Sequence, residues 1–280
     1  MAFVAIVGGG ALGGAIAHAV ALRDRVPEVR LIDTEGSIAR GKALDILQSA
    51  PIDNFSTRVT AADSIDAAAG AMVIVLADAA TDSTEHAGES GLALLRRIAA
   101  VENEAPVVCG GAAQRELIGR GVTELRLAPS RIVGSAPLAL ESALRALAGI
   151  AMDGTGAAIA LRVVGVPPKS AVAAWEEASA AGDPLSAQLP PHVLAGLSAR
   201  IPGLWPPGPY ALGTACARIV EALANGTRRR FTCFVALSAG PVRAAVTAMP
   251  VELEKGTVRR ILEPALTRQE RTMLENALER

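Results

Sequence analysis

Aromatic side chains are scarce in this chain: two Trp, one Tyr and four Phe make up 2% of its 280 residues. With half of the residues apolar, the bulk of any core must come from aliphatic side chains and alanine. That balance suits an α/β protein whose helices pack closely. Excess charge is absent too, since 27 basic residues face 28 acidic ones for a net charge of −1. No electrostatic footprint for nucleic acid or an anionic membrane follows from such a balance. The basic run Arg228, Arg229 and Arg230 reads as a solvated turn. Cys109, Cys216 and Cys233 are odd in number and far apart, which excludes a disulfide framework and a zinc knuckle. No apolar stretch is long enough to cross a bilayer without Gly, Pro or charge. The opening Met-Ala-Phe-Val-Ala-Ile-Val lacks the charged start of a secretory signal, so the cytoplasm is the expected compartment. There is no HxxxH, no CxxC and no acidic cluster, hence no metal site is expected. A Gly-x-Ser-x-Gly nucleophile turn is also missing.

What is present is a rhythm of short apolar runs and helical spacings. Strands are expected at 2–7, 29–32, 72–77, 107–109 and 131–133, with helices at 11–22, 38–49 and 92–101. Pro51 is expected to stop the second helix. A long polar stretch, 78–90, follows the third strand. Alternation of this kind implies a parallel sheet covered on both faces. The rhythm ends near residue 140. Beyond it come a helix at 140–148, a strand at 157–164 and a Pro/Gly-rich stretch at 190–209. A helix at 211–224, strands at 231–237 and 242–249, and a charged helix at 267–280 complete the chain. The expected fold class is α/β, a Rossmann-type doubly wound parallel sheet followed by an α+β domain. The expected units are residues 1–139 and 140–280.

The first strand runs into Gly8-Gly9-Gly10-Ala11-Leu12-Gly13, which opens the first helix. Gly8 permits a tight turn, Gly10 leaves room for a pyrophosphate, and Gly13 lets helix and strand approach. The helix start, with Ala11 and Leu12, presents free N–H groups to phosphates. Asp33 ends the second strand about twenty residues later, where a carboxylate binds ribose hydroxyls and repels a 2′-phosphate. These six positions (Gly8, Gly10, Ala11, Leu12, Gly13 and Asp33) form the expected cofactor site, with NAD preferred over NADP.

Further blocks carry a resemblance. Gly41-Lys42-Ala43-Leu44-Asp45-Ile46-Leu47-Gln48-Ser49-Ala50-Pro51, Gly88-Glu89-Ser90 with Leu92, Ile132-Val133-Gly134-Ser135, Tyr210 to Leu223, and Met249-Pro250-Val251 occur in one order across nearly the whole chain. In these blocks the chain resembles the lactate/malate dehydrogenase family. The resemblance implies an NAD-dependent oxidoreductase fold, a C-terminal domain of that family's type, a small-molecule substrate, and assembly as a homodimer or homotetramer. It also implies that 78–90 corresponds to a mobile loop over the active site.

The same resemblance exposes losses. The family's proton-carrying His falls on Pro167, within Gly165-Val166-Pro167-Pro168-Lys169. Its Asp-x-x-Arg pair falls on Glu141 and Leu144; read one residue later, the arginine falls on Arg145. Its carbonyl-polarising Arg falls on Gly91, and the Asn after the fifth strand on Gly110. Proline, leucine and glycine cannot carry a proton or clamp a carboxylate. No catalytic residue is therefore assigned, and standard 2-hydroxy acid oxidation is not expected. The alternative is an NAD-dependent oxidoreductase acting on a CH–OH group of another small substrate, with His86 or Lys169 as substitute proton carriers. His18 and His192 read as packing or solvated residues. The run Pro202, Pro206, Pro207 and Pro209 departs from the family's longer helical region, with Trp205 as a packing anchor.

Overall fold

The computed structural model of the chain describes residues 2–237 and 245–278. Its first half alternates β1 (Val4–Val7), α1 (Ala11–Leu22), β2 (Glu28–Ile32), α2 (Gly36–Asp53), β3 (Arg58–Ala62), β4 (Val73–Leu76), α3 (Gly88–Val101), β5 (Val107–Cys109), α4 (Arg115–Glu124) and β6 (Ile132–Gly134). The six strands pair in parallel in the order β3-β2-β1-β4-β5-β6. Every residue of β1, β4, β5 and β6 is buried. That is why these segments read as continuous apolar runs: helices cover both faces of the sheet. β1 is central, so the turn after it opens at the carboxyl edge where the strand order reverses, the usual place for a ligand in such a sheet.

Helix α5 (Ala136–Ala151) leads into the second half. It spans the position 139/140 at which the sequence places the change of unit. Next come β7 (Ile159–Ala160), β8 (Val163–Val166), β9 (Ser170–Ala173), β10 (Ser179–Ala180), β11 (Asp183–Pro184), α6 (Leu185–Gln188), α7 (Pro191–Ala199) and α8 (Pro209–Asn225). The chain continues through β12 (Arg230–Leu237), β13 (Ala245–Glu254), β14 (Thr257–Ile261) and α9 (Arg268–Leu278). β12, β13, β8 and β9 extend the large sheet with antiparallel pairings beyond β6, and β14 pairs with β13. β7, β10 and β11 form a separate small sheet. A second, smaller apolar core lies here, built on Leu140, Leu144, Ile159, Leu161, Leu185 and Leu194.

Small residues allow close helix packing. A Cβ on Gly213 of α8 would lie 2.9 Å from the carbonyl carbon of Ala15 on α1. The two helices therefore meet nearly backbone to backbone, as the Ala-rich, aromatic-poor composition implies.

Several expected elements differ. α2 runs through Pro51 to Asp53 and ends at Asn54, in the left-handed region at φ 55°. In the last turn a proline removes one hydrogen bond without breaking the helix before it. The single strand expected at 157–164 is a 3-10 turn (Gly156–Ala158) followed by β7 and β8, which join different sheets. β3 and α4 had no expectation, because Arg58–Ala62 and Arg115–Glu124 mix charge into their patterns. The Pro/Gly-rich stretch contains α7, which begins at Pro191, where a missing N–H costs nothing. Residues 242–244 of the expected strand and 279–280 of the expected last helix lie outside the described residues. Among the described residues no helix is long and apolar enough to cross a membrane, and no group of His, Cys, Asp or Glu is placed to hold a metal. The three cysteines are buried and free, and burial pushes the thiol of each well up.

Candidate functional site

The turn between β1 and α1 has the shape its glycines require. Gly8 adopts φ +113°, and a Cβ there would lie 2.4 Å from the Asp78 carbonyl oxygen. A Cβ on Gly13 would lie 2.0 Å from the Gly8 carbonyl oxygen, so only glycine lets α1 start this close to β1. Asp33, at the end of β2, is buried beneath the turn. Its Oδ2 accepts from the amides of Gly9 (2.7 Å) and Ala80 (3.0 Å), and its Oδ1 from that of Glu35 (2.9 Å). Asp33 thus ties the glycine turn to the segment after β4. The Lys42 ammonium, from α2, donates to the Gly10 carbonyl.

A helix start leaves amides without helical partners, and α1 has no side-chain cap of its own. Sequence reasoning expects these amides to be free for a phosphate. In the structure each one has an acceptor from the segment after β4. Ala11 N–H donates to Ser83 Oγ (3.2 Å), Leu12 N–H to Asp78 Oδ2 (2.9 Å) and Gly13 N–H to Asp78 Oδ1 (2.8 Å). Asp78 is only 2% exposed. The space that Gly10 leaves is also filled, since a Cβ there would lie 2.3 Å from Asp78 Cγ. The Asp78 carboxylate thus occupies the amides that the sequence assigns to a dinucleotide's pyrophosphate. The backbone fits a pyrophosphate, but the Asp78 carboxylate in this arrangement does not, because two anions cannot share the same two donors.

Residues 78–87 fold into a compact strap. Asp78 and Glu85 form an antiparallel bridge, Ala79 N–H donates to the Thr84 carbonyl (2.9 Å), and His86 N–H donates to the Ala77 carbonyl (3.0 Å). The far end is anchored as firmly. Glu85 accepts from the amides of Ala112 (3.0 Å) and Ala113 (2.7 Å), in the turn after β5. The Gln114 side chain donates to the carbonyls of Ala77 and His86 (3.0 Å each).

The positions at which the family resemblance implies catalytic groups are now placed. Pro167 is buried just after β8, and Leu144 is wholly buried in the second core. A side chain has no room at two of the others. A Cβ on Gly91 would lie 2.9 Å from the His86 carbonyl carbon, and one on Gly110 would lie 2.8 Å from Ile16 Cδ1. Glu141 is 1% exposed, and its partners are Arg162 (3.1 Å) and Thr232 (2.5 Å) rather than an imidazole. Burial raises its pKa against the opposing pull of Arg162, Thr232 and Arg145. It borders a cavity of about 720 Å³ walled also by Ser142, Arg145, Arg162, Thr214 and Arg218. None of the turn or strap residues lines this cavity.

Of the substitute proton carriers, His86 is half-buried on the strap. Burial depresses its pKa, with Asp33, Asp78 and Asp82 pulling the other way. Lys169 is exposed between β8 and β9, His18 lies 3.8 Å from Asp53, and His192 is exposed on α7. The structure brings together Gly8, Gly10, Ala11, Leu12, Gly13, Asp33 and His86, and leaves Lys169 and Glu141 elsewhere. Sequence reasoning missed Asp78, Ser83, Glu85 and Gln114. The one signal for them was a carboxylate directly at the end of an otherwise apolar strand, Val73 to Ala77.

Comparison with known proteins agrees with this architecture. Residues 2–106 match the family model for the NAD binding domain of lactate/malate dehydrogenase. A malate dehydrogenase of Syntrophotalea carbinolica is 40% identical over 73 residues, and one of Neorickettsia sennetsu 34% over 73. Each match covers 26% of this chain and only 23% of the relative. Solved structures align over nearly the full length. The malate dehydrogenase from Salinibacter ruber has a TM-score of 0.84 at 20% identity, covering 98% of this chain and 93% of its own. A lactate dehydrogenase from Cryptosporidium parvum, complexed with lactic acid and nicotinamide adenine dinucleotide, gives 0.84 at 20%, covering 99% and 94%. The malate dehydrogenase from Aeropyrum pernix gives 0.85 at 16%, covering 99% and 95%. At these identities the structural likeness establishes the fold: α/β, with a Rossmann-type parallel sheet and a C-terminal half of the same type. Residues 2–106 thus match the NAD binding domain of that family, and the chain as a whole shares the fold of its solved members.

Proposed function

We propose that this chain is a dinucleotide-binding member of the lactate/malate dehydrogenase family, specific for NAD, that does not carry out standard 2-hydroxy acid oxidation. The observation that carries the reading is the pair Pro167 and Leu144. One is buried after β8 and the other is sealed in the second core. Hydride transfer to a 2-oxo acid needs a proton carrier at the carbonyl and a cation for the carboxylate. Neither residue supplies such a group. Glu141, the acid that would orient an imidazole, is committed to Arg162 and Thr232. When bound, NAD would supply the hydride chemistry. Gly8, Gly10 and Gly13 would give its pyrophosphate room, the amides of Ala11, Leu12 and Gly13 would bind it, and Asp33 would hold the adenine ribose.

The test is turnover. Purified protein with NADH and oxaloacetate or pyruvate, and with NAD and malate or lactate, is expected to show no rate above background. A kcat of roughly 10 s⁻¹ or more, ordinary for an enzyme, would overturn the reading. The second reading, an NAD-dependent oxidoreductase acting on a CH–OH group of another small substrate, is favoured by His86. Burial favours its neutral form, and it lies on the strap beside the turn. Hydride exchange across a panel of alcohols and carbonyls, lost in His86→Gln, would select it.

We also propose assembly as a homodimer or homotetramer in the cytoplasm. Exposed apolar side chains support association: Leu44 and Ile52 on α2, Ile150 on α5 and Tyr210 on α8. Light scattering at micromolar concentration tests it, and a monomer would contradict it.

A further inference from the structure

We infer that the strap 78–87 is an internal competitor for the dinucleotide: the Asp78 carboxylate is a built-in substitute for the pyrophosphate, and cofactor enters only when the strap lifts. This inference rests on the dinucleotide-binding reading above and adds a gate to it.

Three contacts made by one short segment carry it. Asp78 places one carboxylate oxygen on the Leu12 amide (2.9 Å) and the other on the Gly13 amide (2.8 Å). Ser83 takes the Ala11 amide (3.2 Å). Glu85 takes the Ala112 and Ala113 amides at the next strand end, and a Cβ on Gly111 would lie 2.0 Å from its Oε2. A helix start attracts any anion through its free donors and its dipole. A carboxylate held there covalently by the chain competes at high effective concentration with one arriving from solution. The glycines fit the same picture. Gly10, Gly91 and Gly111 leave room that Asp78, His86 and Glu85 of the strap now fill.

The strap cannot stay in place while a pyrophosphate binds, because both need the Leu12 and Gly13 amides. Bound and strapped states are therefore exclusive. The apparent affinity for dinucleotide is the intrinsic affinity multiplied by the fraction of molecules with the strap lifted. Asp78 is tied at both ends, through its own side chain and through the Glu85 anchor, so that fraction is small. Anything that favours the lifted strap, such as a partner holding residues 78–87 outward, would raise cofactor affinity by the same factor.

The experiment is a calorimetric titration of the full-length chain with NADH, and separately with inorganic pyrophosphate, for wild type, Asp78→Ala and Asp78→Asn. Circular dichroism first confirms that each is folded. Asp78→Ala is expected to bind NADH at least tenfold more tightly than wild type, with Asp78→Asn between them. The asparagine variant keeps an oxygen acceptor for α1 while removing the charge, so it carries the test if the alanine variant does not fold. Glu85→Gln, which loosens the far anchor, is expected to tighten NADH binding as well, by less. Micromolar NADH binding by wild type that is unchanged in both Asp78 variants would overturn the gate and leave the dinucleotide reading standing. Failure of wild type and both Asp78 variants to bind NADH at millimolar concentration would overturn the dinucleotide reading itself, and the gate with it.

Discussion

The two halves of the molecule differ in what stands at the positions that the family resemblance singles out. Around the glycine turn the backbone groups are all in place, and what differs is that the chain's own carboxylate lies on them. In the C-terminal half the fold is equally well kept, and the positions to which the resemblance assigns a proton carrier and a carboxylate clamp hold Pro167 and Leu144. On the reading proposed above, one half holds a filled site and the other lacks the groups for standard chemistry. The contrast teaches that the fold rests on features separate from catalysis. Buried Val, Ile and Leu in the strands and close glycine and alanine contacts between helices hold the fold whatever side chains stand at Pro167, Leu144, Gly91 and Gly110. A filled site is reversible, since moving one strap restores its donors. A site lacking its proton carrier is not.

Predictions can sharpen that contrast. The largest effect is expected where the turn is tightest. Gly13→Ala, which sets a Cβ 2.0 Å from the Gly8 carbonyl oxygen, should destabilise the protein by about 3 kcal/mol in urea unfolding. A change under ~0.5 kcal/mol would mean the turn is looser than described. In the C-terminal half, Glu141→Leu leaves the Arg162 guanidinium and the buried Thr232 hydroxyl without their partner. It should cost about 2 kcal/mol, at the low side for a broken buried pair because Arg162 keeps some solvent. A wild-type turnover above background that is lost in this variant would restore a catalytic role to the C-terminal half.

Asp78→Ala comes next. Losing a carboxylate cap from α1 should lower stability by about 1.5 kcal/mol. The same variant should bind NADH more tightly, so stability and binding move in opposite directions. Loss of both would show that Asp78 only holds the turn together.

The smallest effect concerns pH. Burial holds the His86 pKa below its ordinary 6.5, so the neutral ring is favoured in the folded state. Its contribution to stability is complete above pH 6.5 and is lost as pH falls from there toward the lower folded-state value. Wild type should therefore lose slightly more stability than His86→Gln between pH 7.5 and 5.5. Equal losses would remove His86 from the strap's packing.

Much of this was legible in the sequence, and the reason is locality. The β1 strand, the glycine turn and α1 are specified by neighbours within a few residues, so α1 was expected at 11–22 and lies there. Asp33 stood out because its distance from the glycines is characteristic. The strap was not legible beyond a polar stretch. Its contacts join Asp78 to Leu12 and Gly13 across 66 and 65 positions, and Glu85 to Ala112 and Ala113 across 27 and 28. No periodicity marks such pairings. Likewise Glu141 was visible as an acid, while its commitment to Arg162 and Thr232 depends on β12 and on the turn before β8. Helix α4 is hard to read because its buried face is short, Leu117, Ile118 and Gly121 within a charged stretch.

The central claim is that the helix-start amides of the dinucleotide site are held by Asp78. Amide hydrogen exchange at Leu12 and Gly13, read by NMR on the cofactor-free protein and on Asp78→Ala, tests it most directly. Slow exchange at both amides in wild type, accelerated at both in the variant while β1 and the rest of α1 stay protected, is the predicted result. Amides that exchange freely in wild type, or that are equally protected in the two proteins, would contradict it.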